Sequence, residues 1–256
     1  MKPQKHMSPS ADLPLSDIVD LHSHILPGMD DGAADAEVTR AMLDRMAEQG
    51  VRHLVSTSHF YPEDEAPEEF LRRRTEAARL LRTVYDPERH PTLYVGAEVA
   101  FFSGISRSDS MKKLCILGTD SILVEMPQRR WTSEVVRELL MMPFQLGLFP
   151  IVAHMERCLP LQPRGTDRLL LDNGVRLQTN AEHVLHKKTA KGALKDIARG
   201  HIAYLGSDAH GIEHRPPSLG PALQLLAERT DASVLERLAR SSHALTATAV
   251  PLLQTL

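Results

Sequence analysis

From Val19 to Gly32 the chain reads VDLHSHILPGMDDG, which crowds one Asp, two His and two further Asp around the end of a single apolar run. Val19, Leu21 and Ile25 read as a buried strand, on which the alternating His22 and His24 face one side together. Two imidazoles on one face point to a metal. Further residues of ligand type follow: Asp31, His59, Glu98, Glu125, His154, Asp208 and His210. Glu125 in SILVEMP and Glu98 in YVGAEVAFF are carboxylates inside apolar runs, costly to bury unless paired or bound to a cation. His53, His90, His201 and His243 stand alone and read as surface or satisfied core residues.

These nine candidates exceed the three protein ligands of one catalytic zinc, so two or three ions are implied. Imidazole and carboxylate without thiolate suit Mn²⁺, Fe²⁺ or Zn²⁺ better than Ca²⁺ or Mg²⁺. Such a cluster lowers the pKa of water and holds the attacking and leaving oxygens of a displacement at phosphorus, which makes phosphoester hydrolysis the leading chemistry. It also needs positive charge for the equatorial oxygens. Arg157 in AHMERC and Arg215 in SDAHGIEHR stand beside ligand candidates, where they serve as phosphate clamps or as exposed loop residues.

The elements that must position these groups alternate. Apolar, β-branched runs at Ile18–His22, Val51–Thr57, Thr92–Ala97, Ser121–Glu125, Pro150–His154, Val175–Thr179 and Ile202–Gly206 predict strands. Helical spacing lies between them, as from the N-cap candidate Asp35 through Val38, Met42 and Met46 to a stop at Gly50, and from Pro67 through Phe70, Ala77, Leu81 and Val84. Arg72, Arg73 and Arg74 on the second helix follow Glu68 and Glu69 and read as a salt-bridged face. Seven strand–helix alternations predict an α/β fold with a parallel sheet, and the length and the lack of a glycine-rich dinucleotide fingerprint favour a (β/α) barrel. The candidates fall at or just after strand ends, with Asp31 in the first loop, and those ends converge on one barrel rim.

The 256 residues suffice for one large core, and a net charge of −3 without a dense basic stripe gives no field for nucleic acid. Two cysteines form no disulfide framework and lack zinc spacing. The first residues lack a signal-peptide core and no 18 apolar residues run together, so the reading is a cytoplasmic protein without a membrane segment. Residues 1–16 read as a flexible polar tail before a single domain, 17–256.

The motifs DLHSH, LPGMDDG, TSHF, GAEV, ILVEMP, AHMER and SDAH, in this order from Ile18 to Arg215, resemble the polymerase and histidinol phosphatase (PHP) superfamily. HSHILPGMDDG is most similar to its manganese-dependent bacterial protein-tyrosine phosphatases of capsule and exopolysaccharide operons. The resemblance implies a distorted (β/α)7 TIM-like barrel and three metals, Mn²⁺ foremost. In it His22, His24 and Asp208 hold one ion, Glu98 bridges to a second completed by Glu125 and His154, and Asp31, His59 and His210 hold the third. Arg157 and Arg215 match phosphate-binding arginines, and Asp20 matches a partner that orients a ligand imidazole. The implied reaction is attack of a metal-bridging hydroxide on phosphotyrosine, with His210 or a metal-bound water as the proton donor. The implied partner is the tyrosine-rich tail of a bacterial tyrosine kinase, met at the inner membrane surface.

Two stretches depart from the pattern or are not fixed by it. Phe60 and Tyr61 follow His59, where they line a phenyl pocket or pack under the loop, and Arg129, Arg130 and Trp131 follow Glu125 as a candidate substrate loop. Four rivals remain. Cys158 to Arg164 has the Cys-x5-Arg spacing of thiol phosphatases, but Pro160 and Pro163 remove backbone donors that such a loop needs. A histidinol-phosphate phosphatase would use the same ligands, though LPGMDDG argues against it. A TatD-like nuclease would need neither Asp31, Glu125 nor His210. An inert PHP regulatory module would retain nine costly polar groups without using them.

Overall fold

The computed structural model describes residues 15–255. The expected tail therefore lies outside the described residues except at Leu15 and Ser16, which with Asp17 form a 3-10 turn. The strands are β1 (Asp20–Ser23), β2 (His53–Ser56), β3 (His59–Phe60), β4 (Thr92–Val95), β5 (Glu98–Ala100), β6 (Ser121–Glu125), β7 (Phe149–Val152), β8 (Arg176–Asn180) and β9 (Tyr204–Gly206). All pair in parallel, in the order β3-β5-β6-β7-β8-β9-β1-β2-β4.

Seven runs underlie these nine strands. The run expected at Val51–Thr57 stops after Ser56 and resumes as β3, and the next stops after Val95 and resumes as β5. Because β2 pairs with β4 and β3 with β5, the two broken runs lie side by side along their whole length. With β9 paired to β1, each run meets the next around the circle. The distorted seven-unit TIM-like barrel expected from the sequence is the fold.

The helices α1 (Ala36–Glu48), α2 (Pro67–Arg82), α3 (Ser133–Leu146), α4 (Thr166–Asp172), α5 (Ala181–Leu185), α6 (Ala190–Ala198), α7 (Leu219–Arg229) and α8 (Ala232–Thr246) connect or cover the strands. Asp35 caps α1, accepting the Val38 N–H at 2.9 Å. The arginines of α2 are salt-bridged as expected, with different partners: Arg72 meets Glu69 and Glu76, and Arg73 meets Glu65. Arg74 instead turns inward to the Gly96 carbonyl.

Alternation sorts the strands' side chains into two layers. Leu54, Leu93, Ile122, Val124, Val152, Leu177 and Leu205 belong to the large core shared with the helices. Val55, Tyr94, Leu123, Ile151 and Tyr204 form the barrel's own interior with Val19 and Leu21. Between paired residues β1 advances from Asp20 to Ser23 while β2 advances only from Leu54 to Ser56, a β-bulge. The extra residue lets Leu21 join the interior while His22 also faces inward above it. Helix α8 closes the other end of the barrel: Ser242 Oγ accepts the Val19 N–H at 3.0 Å, and Leu245 enters the interior cluster.

Leu245 is thus a core residue far from the ligand rim. Leu245→Ala is expected to destabilise the fold by about 2–5 kcal/mol, read as a lower urea midpoint, with metal content per folded chain unchanged.

Candidate metal centre and active site

The nine candidate ligands converge at the C-terminal ends of the strands. Glu98 is their hub, buried to 1% exposure. Its Oε2 lies 3.1 Å from His22 Nε2, 3.4 Å from His24 Nε2 and 3.0 Å from His59 Nδ1, and its Oε1 lies 2.8 Å from His154 Nε2. His154 approaches Glu125 Oε1 at 3.6 Å, Asp208 Oδ1 sits 3.5 Å from His22 Nε2 and 3.6 Å from His24 Nε2, and Asp31 Oδ1 reaches His59 and His210 at 3.5 and 3.3 Å.

Local backbone explains the convergence. His59 and Glu98, which the sequence places just after the second and third strands, are register partners on the resumed strands β3 and β5, and Ala100, two residues beyond Glu98, pairs with Glu125. His154, Asp208 and Arg215 are the non-glycine residues with positive φ among the described residues, at 27°, 52° and 49°. Each conformation costs about 1–3 kcal/mol and needs local support. The His154 N–H donates to Gln178 Oε1 at 2.6 Å and the Asp208 N–H to the His22 carbonyl at 2.7 Å. Gly32 of the DDG turn lies so close to His24 that a Cβ would stand 2.2 Å from the His24 carbonyl oxygen, so this turn admits only glycine.

Three sets of ligand atoms lie close enough to surround a cation: His22, His24 and Asp208; His24, Asp31, His59 and His210; and His59, Glu98 and Glu125. His24 and His59 each enter two sets, a sharing that the family division of ligands does not contain. Two buried atoms, Glu98 Oε2 and His59 Nδ1, have no hydrogen-bond partner although they face one another. An acceptor and a ring nitrogen left in this way fit a divalent cation, as does a donor set of imidazoles and carboxylates without thiolate.

The carboxylates dominate the electrostatics of the cluster, and a bound cation would take the place of the proton they draw onto His24. Burial opposes the charged form of Glu98, yet His22, His154 and His24 hold it well below the usual carboxylate range. Burial likewise opposes charge on His24, but Asp30 and Glu98 push it up to about 10. His210 is held down to about 4 by burial, His24 and Arg215.

The arginines share one anchor: Arg157 Nη2 is 2.8 Å from Asp208 Oδ2, and Arg215 pairs with the same oxygen. Arg215 borders a cavity of about 300 Å³ with Asn180 and His214, and Arg157 one of about 200 Å³ with His186 and Thr189.

Several expectations need correction. The first is Asp20, whose carboxylate takes the Ser207 N–H at 2.7 Å and no imidazole, because the bulge turns it away from the ligand face. Burial pushes it up to about 6. Imidazole orientation falls instead to Asp30, 2.8 Å from His24 Nδ1, and to Gln178, 3.4 Å from His22 Nδ1. Trp131 is buried and donates to the Pro127 carbonyl, so of the suggested loop only Arg129 and Arg130 are exposed. Phe60 packs edge-on against Phe70 in the core, whereas Tyr61 is 42% exposed and stacks on His59 at 5.2 Å. Cys158 is buried, and burial with Glu156 pushes its thiol up to about 12, which removes thiol catalysis.

The sequence reading missed Gln178, Asn180 and Asp30. Neutral amides carry no ligand signature, yet Gln178 Nε2 donates to Asn180 Oδ1 and Asn180 Nδ2 to Asp208 Oδ2. Strand β8 therefore braces the ligands without contributing one.

Residues 18–245 match the sequence model of the family described as capsular polysaccharide synthesis, CpsB/CapC. The chain belongs to the CpsB/CapC family. Among CpsB/CapC relatives, the tyrosine-protein phosphatase CpsB of Streptococcus pneumoniae is 27% identical over 236 residues, which cover 86% of this chain and 94% of the relative. The tyrosine-protein phosphatase YwqE of Bacillus subtilis is 24% identical over 221 residues, covering 82% and 84%. A crystal structure from work on YwqE from Bacillus subtilis and CpsB from Streptococcus pneumoniae, described as unique metal-dependent tyrosine phosphatases, has the same fold. It matches with a TM-score of 0.77 at 22% identity, over 91% of this chain and 96% of that one.

In this CpsB/CapC chain Asp30 ties two ligand sets together. Its Oδ2 accepts from His24 Nδ1 and from the His59 N–H at 2.9 Å, and its Oδ1 accepts the Gly32 N–H at 3.0 Å. An amide at this position would set an NH₂ against one of these donors in either orientation, or force the His24 proton onto Nε2, the atom that faces the other ligands. Asp30→Asn is expected to weaken metal binding about 10–100-fold, measured by competition with a chelator, while far-UV circular dichroism stays that of the native fold.

Proposed function

We propose that this chain is a metal-dependent protein-tyrosine phosphatase, acting in the cytoplasm through residues 17–256 as one catalytic domain. The observation that carries the reading is the ligand cluster around Glu98 with two guanidiniums on the adjoining Asp208. The named activity of the CpsB and YwqE relatives supports it.

In this reading His22, His24 and Asp208 would hold one cation, Glu98 and Glu125 a second with His59 close enough to share and His154 beside both carboxylates, and Asp31, His59 and His210 a third that His24 also adjoins. Mn²⁺ is the preferred ion, with Fe²⁺ and Zn²⁺ compatible with the same donors. Bound there, divalent cations supply Lewis acidity and a water activated at neutral pH. The chain's own contribution is positioning. Arg157 and Arg215 present N–H donors beside the cluster, where they grip phosphate oxygens and stabilise charge that grows on them. His210 stays neutral near pH 7, which suits a ligand better than a proton donor. The demand for a general acid is modest, because a tyrosine leaving group has a phenol pKa of about 10. Tyr61, stacked on His59 at the rim, offers a face to the phenyl ring. The proposed protein substrate is the phosphorylated tyrosine-rich tail of a kinase that controls capsule or exopolysaccharide synthesis.

Chelated enzyme reloaded with Mn²⁺ is expected to hydrolyse a phosphotyrosine peptide in preference to a phosphoserine peptide and histidinol phosphate. His59→Ala should lower kcat by about a hundredfold or more with the fold intact. Preference for histidinol phosphate would move the chain to small-molecule chemistry. Hydrolysis undiminished by chelation would overturn the metal reading.

A further inference from the structure

Many cations on the surface helices of this chain are matched by acids, although Arg79 and Arg82 on α2 are exposed with no acid within ion-pair distance among the described residues. Arg72 and Arg73 are paired as described, Lys113 meets Glu68, Lys112 meets Asp109, Arg168 meets Asp172 and Arg40 meets Glu37. The segment that returns from β8 to β9 differs. Lys191, Lys195 and Arg199 follow one another at four-residue steps along α6 and its C-cap, and Lys187 and Lys188 stand in the turn before it. All five are exposed, and among the described residues none has an acidic partner within ion-pair distance. Asp196, the acid within α6, lines a cavity with Arg164 and His201 and makes no ion pair with Arg199 three residues on. Like charges four apart on a helix repel one another and cost stability, in a chain whose net charge is −3.

The ridge also has a direction. Helix α5 starts where β8 ends, beside Asn180, and α6 runs from that rim back toward the start of β9. At the rim His186 and Thr189 line the same cavity as Arg157. The row of cations therefore begins at the candidate phosphate site and leads away from it along the outside of the barrel. Over the twelve steps from Lys187 to Arg199 it is about 18 Å long at helical rise, the length of about five or six residues of extended chain. Of the apolar residues of α6, Ala193 and Ile197 are buried in the core, Ala190 and Leu194 are half-buried, and only the small Ala198 is exposed, which is too little apolar surface to insert into a lipid layer.

We infer that this ridge is a docking track for an acidic stretch of polypeptide, about five or six residues long, on the same chain as the phosphotyrosine. The inference rests on the phosphatase reading and extends it to substrate selection. Exposed pairs contribute little singly, but three or four acting together are expected to lower KM about tenfold. Their effect fades as salt shortens the screening length.

The test uses the full chain loaded with Mn²⁺ and one phosphotyrosine core peptide extended by five Glu, five Gln or five Lys, on either side. At low salt the Glu-extended peptide should show a KM about tenfold below that of the Gln-extended one, at similar kcat, and the Lys-extended peptide a higher KM. The advantage should shrink by 0.3 M salt. Lys191→Glu with Lys195→Glu should abolish it while leaving the Gln-extended peptide unaffected, a control for folding. Equal KM for Glu and Gln extensions, or an advantage that survives the charge reversal, would overturn the track while the phosphatase reading stands. Failure to hydrolyse any of the peptides would overturn both. Ridge-dependent sedimentation with anionic phosphatidylglycerol vesicles, without a peptide preference, would reassign the surface to membrane and also overturn the track.

Discussion

The structure is organised around a buried carboxylate. Glu98 has no solvent to stabilise its charge, and a carboxylate in that position requires positive partners on every side. Four imidazoles from the runs containing β1, β3 and β7 surround it within 3.4 Å, with room for the charge of a bound cation, and the backbone irregularities of the barrel follow from that requirement. Regular strands β2 and β4 would run straight past the rim. By stopping and resuming they bring His59 into register with Glu98, and the bulge in β1 turns His22 inward without removing Leu21 from the interior.

The strain created at the rim is balanced by order elsewhere. His154, Asp208 and Arg215 hold left-handed conformations that these residue types rarely adopt. Each is fixed by a hydrogen bond, His154 to Gln178 on β8, Asp208 to the His22 carbonyl on β1, and Arg215 through its carbonyl to the His210 N–H within the same loop. Below them the barrel interior is apolar and plugged by α8, so the barrel has one polar end and one packed end. Stability and chemistry are separated along its axis.

Much of this was legible in the sequence because it is written in residue type and period. β-branched runs gave the strands, Asp35 and Gly50 bracketed α1, and imidazoles and carboxylates at strand ends gave the rim. What escaped was written in geometry. A bulge inserts no special residue, so Asp20 looked like an imidazole partner although one extra step in β1 turns it toward Ser207. Asp30 and Asp31 are chemically identical neighbours, and only the fold of the turn sends one to His24 and leaves the other at the mouth. Trp131 and Phe60 follow ligand strands as substrate contacts would, yet apolar area drew both inward. Charge was legible only in part: Arg72 and Arg73 are matched by acids as expected, Arg74 turns inward to the Gly96 carbonyl, and the cations spaced four apart on α6 stand unmatched among the described residues.

Asp208 shows how the two halves of the proposed chemistry are joined. Its Oδ1 faces His22 and His24, and its Oδ2 holds Arg157, Arg215 and Asn180. In the proposed chemistry one carboxylate would therefore serve a cation on one side and two phosphate-gripping arginines on the other. Through Asn180 and Gln178 the same network reaches the His154 N–H and His22, so the ligand imidazoles and the arginines cannot shift independently. A fixed separation between ligand cluster and guanidiniums is what in-line displacement demands, since the attacking oxygen and the phosphoryl oxygens must be held at once. The positive φ of Asp208 is then the physical cost of pointing two oxygens of one side chain at two different tasks.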